Sequence, residues 1–120
     1  MRLPWLLVAF LLACVLAGLH FEALERLWYW YHRWLDIPMH FLAGIVMGCA
    51  VAGVLGRNRP AFFFATVLAG AVGWEVFEYF AGISTGQPDY WTDTIKDIAN
   101  GVLGGAIVYL VTRITVWRSN

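Results

Sequence analysis

Charge is scarce in this chain of 120 residues: 13% is Asp, Glu, Lys or Arg, about half the roughly 25% of ordinary soluble domains. The eight basic and eight acidic residues cancel. They form no basic run or tail, which excludes a broad electrostatic surface for nucleic acid. Cysteine is sparser still. Cys14 and Cys49 lie in apolar runs without metal-type spacing or a disulfide framework, and are expected to be small buried hydrophobes. No Gly-x-Ser-x-Gly elbow, His-Glu-x-x-His helix or phosphate-cradling glycine loop occurs, so no familiar catalytic motif assigns a reaction.

What is abundant is apolar surface, at 61% of residues. Four stretches reach the roughly 20 residues that a helix needs to cross a bilayer: Leu3 to Phe21, Ile37 to Gly56, Ala61 to Ile83 and about Thr94 to Val116. The expected fold is all-α, a single membrane domain over residues 1–120 with four transmembrane helices. Arg2 followed by Leu6 to Cys14 resembles a signal sequence, but the apolar run continues through Leu19, so a retained first helix is expected. Arg57-Asn58-Arg59-Pro60 reads as a tight hairpin with proline at the start of the next helix, and Ser84 to Asp89 as a second turn. Between the first two spans, Leu24, Leu27, Trp28, Tyr31, Trp34 and Leu35 recur at spacings of three and four. That periodicity predicts an amphipathic helix over about residues 22–35, lying in the interface with Tyr29, His32 and Arg33 on its wet face. Trp28, Trp30 and Trp34 are expected to anchor it at headgroup level.

Basic residues orient the bundle. Arg2, Arg57, Arg59, Arg113 and Arg118 fall on one side of a four-span topology, and Arg26, Arg33 and Lys96 on the other. The excess of basic residues predicts cytoplasmic termini in a bacterial plasma membrane.

Ionisable groups nevertheless stand inside these apolar stretches. A charged side chain at a helix centre costs at least about 2.5 to 3.5 kcal/mol, so such groups mark a functional site by default. His40 lies about one turn inside its span, Glu78 and Glu75 about 7 and 12 Å from Ile83, and Asp97 and Asn100 about 6 and 10 Å from Asp93. The depths agree, which places His40, Glu75, Glu78, Asp97 and Asn100 in one layer of the outer leaflet with Asp36 and Asp93 at its rim. The spacings Glu75/Glu78 and Asp93/Asp97/Asn100 each follow one helix face. Gly44-xxx-Gly48 and Gly101-xxx-Gly105 continue these stripes as close-packing surfaces.

The segments Asp36-Ile37-Pro38-Met39-His40-Phe41, Trp74-Glu75-Val76-Phe77-Glu78-Tyr79 and Asp93-Thr94-Ile95-Lys96-Asp97-Ile98-Ala99-Asn100-Gly101 resemble, in this order, the VanZ-like membrane proteins and their YjdF-type relatives. The resemblance implies a small multi-pass bacterial membrane protein of the cell envelope, with a namesake linked to glycopeptide resistance. It supplies no reaction.

Carboxylates crowded in a low dielectric require a cation or shared protons. Asp36, His40, Glu75, Glu78, Asp93, Asp97 and Asn100 are therefore the candidates for binding a lipid or envelope-precursor headgroup. Glu75, Glu78, Asp97 and His40 are the candidate ligands of a divalent cation, the one cofactor this chemistry suggests. A metal-bound water beside Glu75 or Glu78, with His40 as acid or base, is the catalytic variant of this reading. The alternatives are proton or cation translocation, which lacks an ionisable path to the inner face, and carboxylates that simply cross-link helices through His40, Thr94 and Asn100.

Overall fold

The computed structural model describes residues 2–82, 86 and 88–118. Of the second expected turn, Ser84, Thr85 and Gln87 lie outside the described residues, as does Ile83 at the end of the third apolar stretch. Four long helices account for most of the chain: α1 (Leu3–Glu25), α3 (Asp36–Val54), α4 (Pro60–Ala81) and α5 (Tyr90–Thr115). A short helix α2 (Trp28–Tyr31) and a 3-10 turn (Arg33–Leu35) join α1 to α3. At 1.5 Å per residue the long helices measure about 30 to 40 Å, enough for a hydrocarbon core of about 30 Å. All four are apolar enough to span it. The protein is an integral membrane protein with four spans.

Helix α3 is the centre of the bundle and packs on α1, α4 and α5; α5 also packs on α4. Glycine sets the α3–α5 distance. A Cβ on Gly44 would strike the carbonyl oxygen of Gly101, and one on Gly104 would strike that of Phe41. One turn further, a Cβ on Gly48 would lie 2.9 Å from Val108 Cβ and 3.3 Å from Gly105 Cα, while one on Gly105 would lie 2.7 Å from Val67 Cγ1 of α4, so that glycine also admits α4. With no side chain between them, the two backbones touch, as small-residue stripes in membrane helices allow. At the loop end opposite Asp36, Phe63 is fully buried among Phe64, Tyr109 and Trp117, and the Tyr109 hydroxyl donates to Asn58 Oδ1 at 3.0 Å.

Helix α1 is held mainly by α3 and buries only Ala9 and Ala23. Most of its circumference is therefore left to lipid. This corrects the expectation for Cys14, which is exposed on α1, whereas Cys49 on central α3 is buried. Pro60 opens α4 as expected.

Residues 22–35 do not form one interfacial helix. Helix α1 continues through Glu25, and Leu27 then takes a left-handed conformation (φ 56°, ψ 29°) that re-aims the chain into α2. A single reversal leaves the three-and-four spacing of side chains intact, so the periodicity could not register it. Trp30 and Trp34 remain exposed, suited to an interface, but Tyr29 turns inward and shares a 2.8 Å hydrogen bond with His20 Nδ1. Burial pushes the Tyr29 hydroxyl pKa up, so it stays protonated.

Arg33, expected on the wet face, is exposed and reaches across to Asp89, donating to both carboxylate oxygens at 3.0 and 2.9 Å. This pair clips the α2–α3 connection to the start of α5, where the Asp93 amide donates to the Asp89 carbonyl at 3.0 Å. The Arg33 hydrogen bond holds the Asp89 carboxyl below its ordinary range. A depressed carboxylate contributes above its unfolded pKa and is lost as pH falls through the folded value. The clip should thus be intact at neutral pH and release only in acid, below the usual aspartate range. Amide hydrogen exchange at the start of α5 should accelerate on that acidification, and Asp89→Asn should give the faster exchange already at neutral pH. Equal exchange in wild type and variant would remove the clip from the account.

Candidate functional site

The touching backbones of Gly44 and Gly101 fix what lies one turn nearer the α2 end, because His40 precedes Gly44 by four residues and Asp97 precedes Gly101 by four. His40 and Asp97 are both buried, and His40 Nε2 stands 3.9 Å from Asp97 Oδ2. On its own helix His40 faces Asp36, in the first turn of α3, with Nε2 3.4 Å from Oδ1. Asp36 there complements the positive N-terminal end of the helix. From α4, Glu75 presents Oε1 to the other ring nitrogen, 3.7 Å from Nδ1.

The result is an imidazole with carboxylates on both edges. Asp36, His40 and Asp97 form one set whose polar atoms lie within 4.8 Å of one another, and His40, Glu75 and Glu78 form a second. Glu78 is oriented by Trp74, whose indole N–H donates to Oε1 at 2.9 Å. Glu75 is different: its side chain is 7% exposed, yet Oε1 has no hydrogen-bond partner among the described residues. A buried acceptor left unpaired costs about 1 to 3 kcal/mol, so Oε1 calls for a proton or a cation.

The other sequence candidates are more peripheral. Asp93, in the first turn of α5, is half-buried and lines the cleft described next; Asn100, three residues beyond Asp97, is half-buried. The four ligands expected for one cation, Glu75, Glu78, Asp97 and His40, are divided between the two edges of the ring, with Asp97 on the Nε2 side and Glu75 on the Nδ1 side.

A cleft of about 510 Å³ opens between α1, α3 and α4 and runs from this cluster toward the bundle centre. Its apolar walls include Ala13, Ala17, Val46, Met47 and Gly70; its polar end is formed by His20, Tyr29, Arg33, Asp36, His40, Glu78 and Asp93. His20 and Tyr29 are absent from the sequence candidates. His20 lies at the depth of the cluster, and that depth is its only signal in the sequence, since the periodicity puts its partner Tyr29 on the wet face of a helix.

Comparison with known families agrees with this architecture. Residues 2–118 match the family described as DUF2238, predicted membrane protein. The chain belongs to this family. No curated protein and no solved structure matches it. For this DUF2238 protein, then, the chemistry must be read from the site. A histidine between carboxylates at one end of an apolar cleft can share a proton, bind a cation, or face a headgroup while the cleft accommodates a chain.

Proposed function

We propose that the protein binds a lipid-type amphiphile, with its hydrocarbon chain in the cleft and its head against the acidic and histidine cluster. The observation that carries this reading is the cleft itself. It lies within the about 300 to 1,000 Å³ usual for small-molecule sites, with apolar walls and a few convergent polar groups. Asp36, Glu78 and Asp93 outnumber Arg33 at the polar end, and Arg33 is itself engaged with Asp89. Charge complementarity thus asks for a positive charge in the head, either an amine of the lipid or a cation bound with it.

The excess of arginines at the opposite end supports cytoplasmic termini in a bacterial plasma membrane, with the cluster in the outer leaflet. The resemblance to VanZ-like proteins supports a cell-envelope role, with an envelope-precursor headgroup among the candidates. Translocation is less well supported. Beyond the cluster the described interior holds Gly44, Gly48, Gly105, Val67, Val108 and Thr112, and no other buried side chain among the described residues is acidic or basic.

Native mass spectrometry of protein extracted in mild detergent tests the proposal. Wild type should retain one lipid per chain. Ala17→Phe combined with Gly70→Phe fills the cleft, since the atoms nearest a Cβ on Gly70 belong to the flexible side chain of Met47; it should reduce retention at least tenfold, about 1.4 kcal/mol of binding. Asp36→Asn with Glu78→Gln should lower retention of an amine-bearing lipid and spare the cleft. Retention unchanged by both double variants would overturn the reading.

A further inference from the structure

The two nitrogens of His40 are not equivalent, and their difference selects a site. A neutral imidazole carries one N–H and one lone pair. Asp36 Oδ1, the nearest carboxylate oxygen at 3.4 Å, faces Nε2. With the proton on Nε2, Nδ1 is left as an acceptor 3.7 Å from Glu75 Oε1, which is buried and without a hydrogen-bond partner among the described residues. Two acceptors then face each other, and something positive belongs between them.

We infer that this is a divalent transition-metal site, with His40 Nδ1, Glu75 and Glu78 as ligands and Asp36 orienting the ring through Nε2–H. Two ligands about 2.0 to 2.1 Å from one ion in tetrahedral geometry stand roughly 3.4 Å apart, close to the 3.7 Å between Nδ1 and Oε1. The His40–Glu75–Glu78 set, within 4.8 Å, needs only side-chain adjustment to close. One imidazole and two carboxylates suit Zn²⁺ or Mn²⁺, and the two ligand carboxylates balance the charge of the ion itself. A metal-bound histidine that donates its other N–H to a carboxylate is the usual outer-shell arrangement; Asp36 fills that role, and Asp97, 3.9 Å from Nε2, lies on the same edge. Three protein ligands leave a coordination position facing the cleft, where Glu78 and His40 both contribute to the lining. The oxygen of a phosphate-containing headgroup fits that position.

This deepens the lipid reading by naming the cation, and it is tested with the metal alone. Delipidated, chelator-treated protein in detergent is titrated with Zn²⁺, Mn²⁺ and Co²⁺, and bound metal is counted after desalting. Wild type should hold one equivalent. Glu75→Gln should weaken binding more than 100-fold, Asp36→Asn by 10- to 100-fold as an outer-shell change, and Asp97→Asn by less than Glu75→Gln. Because a variant may lose its fold, wild type also serves by itself: on adding Zn²⁺ the ¹⁵N resonance of His40 Nδ1 should move far more than that of Nε2. Failure of wild type to bind any of the ions, a larger Nε2 response, or a greater loss from Asp97→Asn than from Glu75→Gln would overturn the site. Lipid retained by chelated protein would separate that failure from failure of the cleft reading.

Discussion

Gly44→Ala is expected to destabilise the bundle by about 1 to 3 kcal/mol, the usual cost of overpacking, and at the upper end of that range. The added methyl would meet the carbonyl of Gly101, which cannot rotate aside as a side chain can. The α3 and α5 backbones must separate, which pulls His40 from Asp97 one turn away. Unfolding in bicelles measures the effect. Gly73→Ala is the control of opposite sign: a Cβ there meets nothing within 4 Å, and removing a glycine from a helix favours the helix by about 0.5 to 1 kcal/mol. Equal results for the two substitutions would mean that α3 and α5 do not touch through their glycines.

The second large effect is expected at the cluster. His40→Ala removes the group that lies among Asp36, Glu75 and Asp97, and leaves buried carboxylates without their partner. Removing one partner from a buried polar or ionic contact and leaving the other unsatisfied typically costs about 1 to 5 kcal/mol. Adding Asp97→Asn should recover part of that loss, because groups in one network couple by about 0.5 to 3 kcal/mol. The same bicelle unfolding, run as a double-mutant cycle, reads the coupling. A cost below about 1 kcal/mol for His40→Ala, or strict additivity with Asp97→Asn, would show that these side chains do not act together.

Much of this arrangement was legible in the residues because depth along a spanning helix is a matter of counting. His40, Glu75 and Asp97 lie at matching rises from one membrane face, and the glycines four residues beyond His40 and Asp97 mark where two helices approach. What counting could not supply was rotation about each axis. It therefore could not divide the carboxylates between the two edges of the imidazole, nor show that Glu75 Oε1 is buried without a hydrogen-bond partner among the described residues. Nor does hydrophobic periodicity sense a change of direction, so it carries no sign of the turn at Leu27 and places Tyr29 in water. The cleft was hidden for a related reason. It depends on α1 resting mainly on α3, a choice among apolar faces that the uniformly hydrophobic sequence of α1 does not declare.

The central claim, that an amphiphile lies in the cleft with its head at His40, is tested most directly by photocross-linking in membranes with a lipid carrying a photoreactive group midway along its chain. The account predicts adducts concentrated on the cleft-facing segments of α1 and α4 around Ala13, Ala17 and Gly70, and suppressed by Ala17→Phe with Gly70→Phe. Adducts spread evenly around the lipid-facing surfaces of α1, α4 and α5, and unchanged in the filled variant, would contradict it.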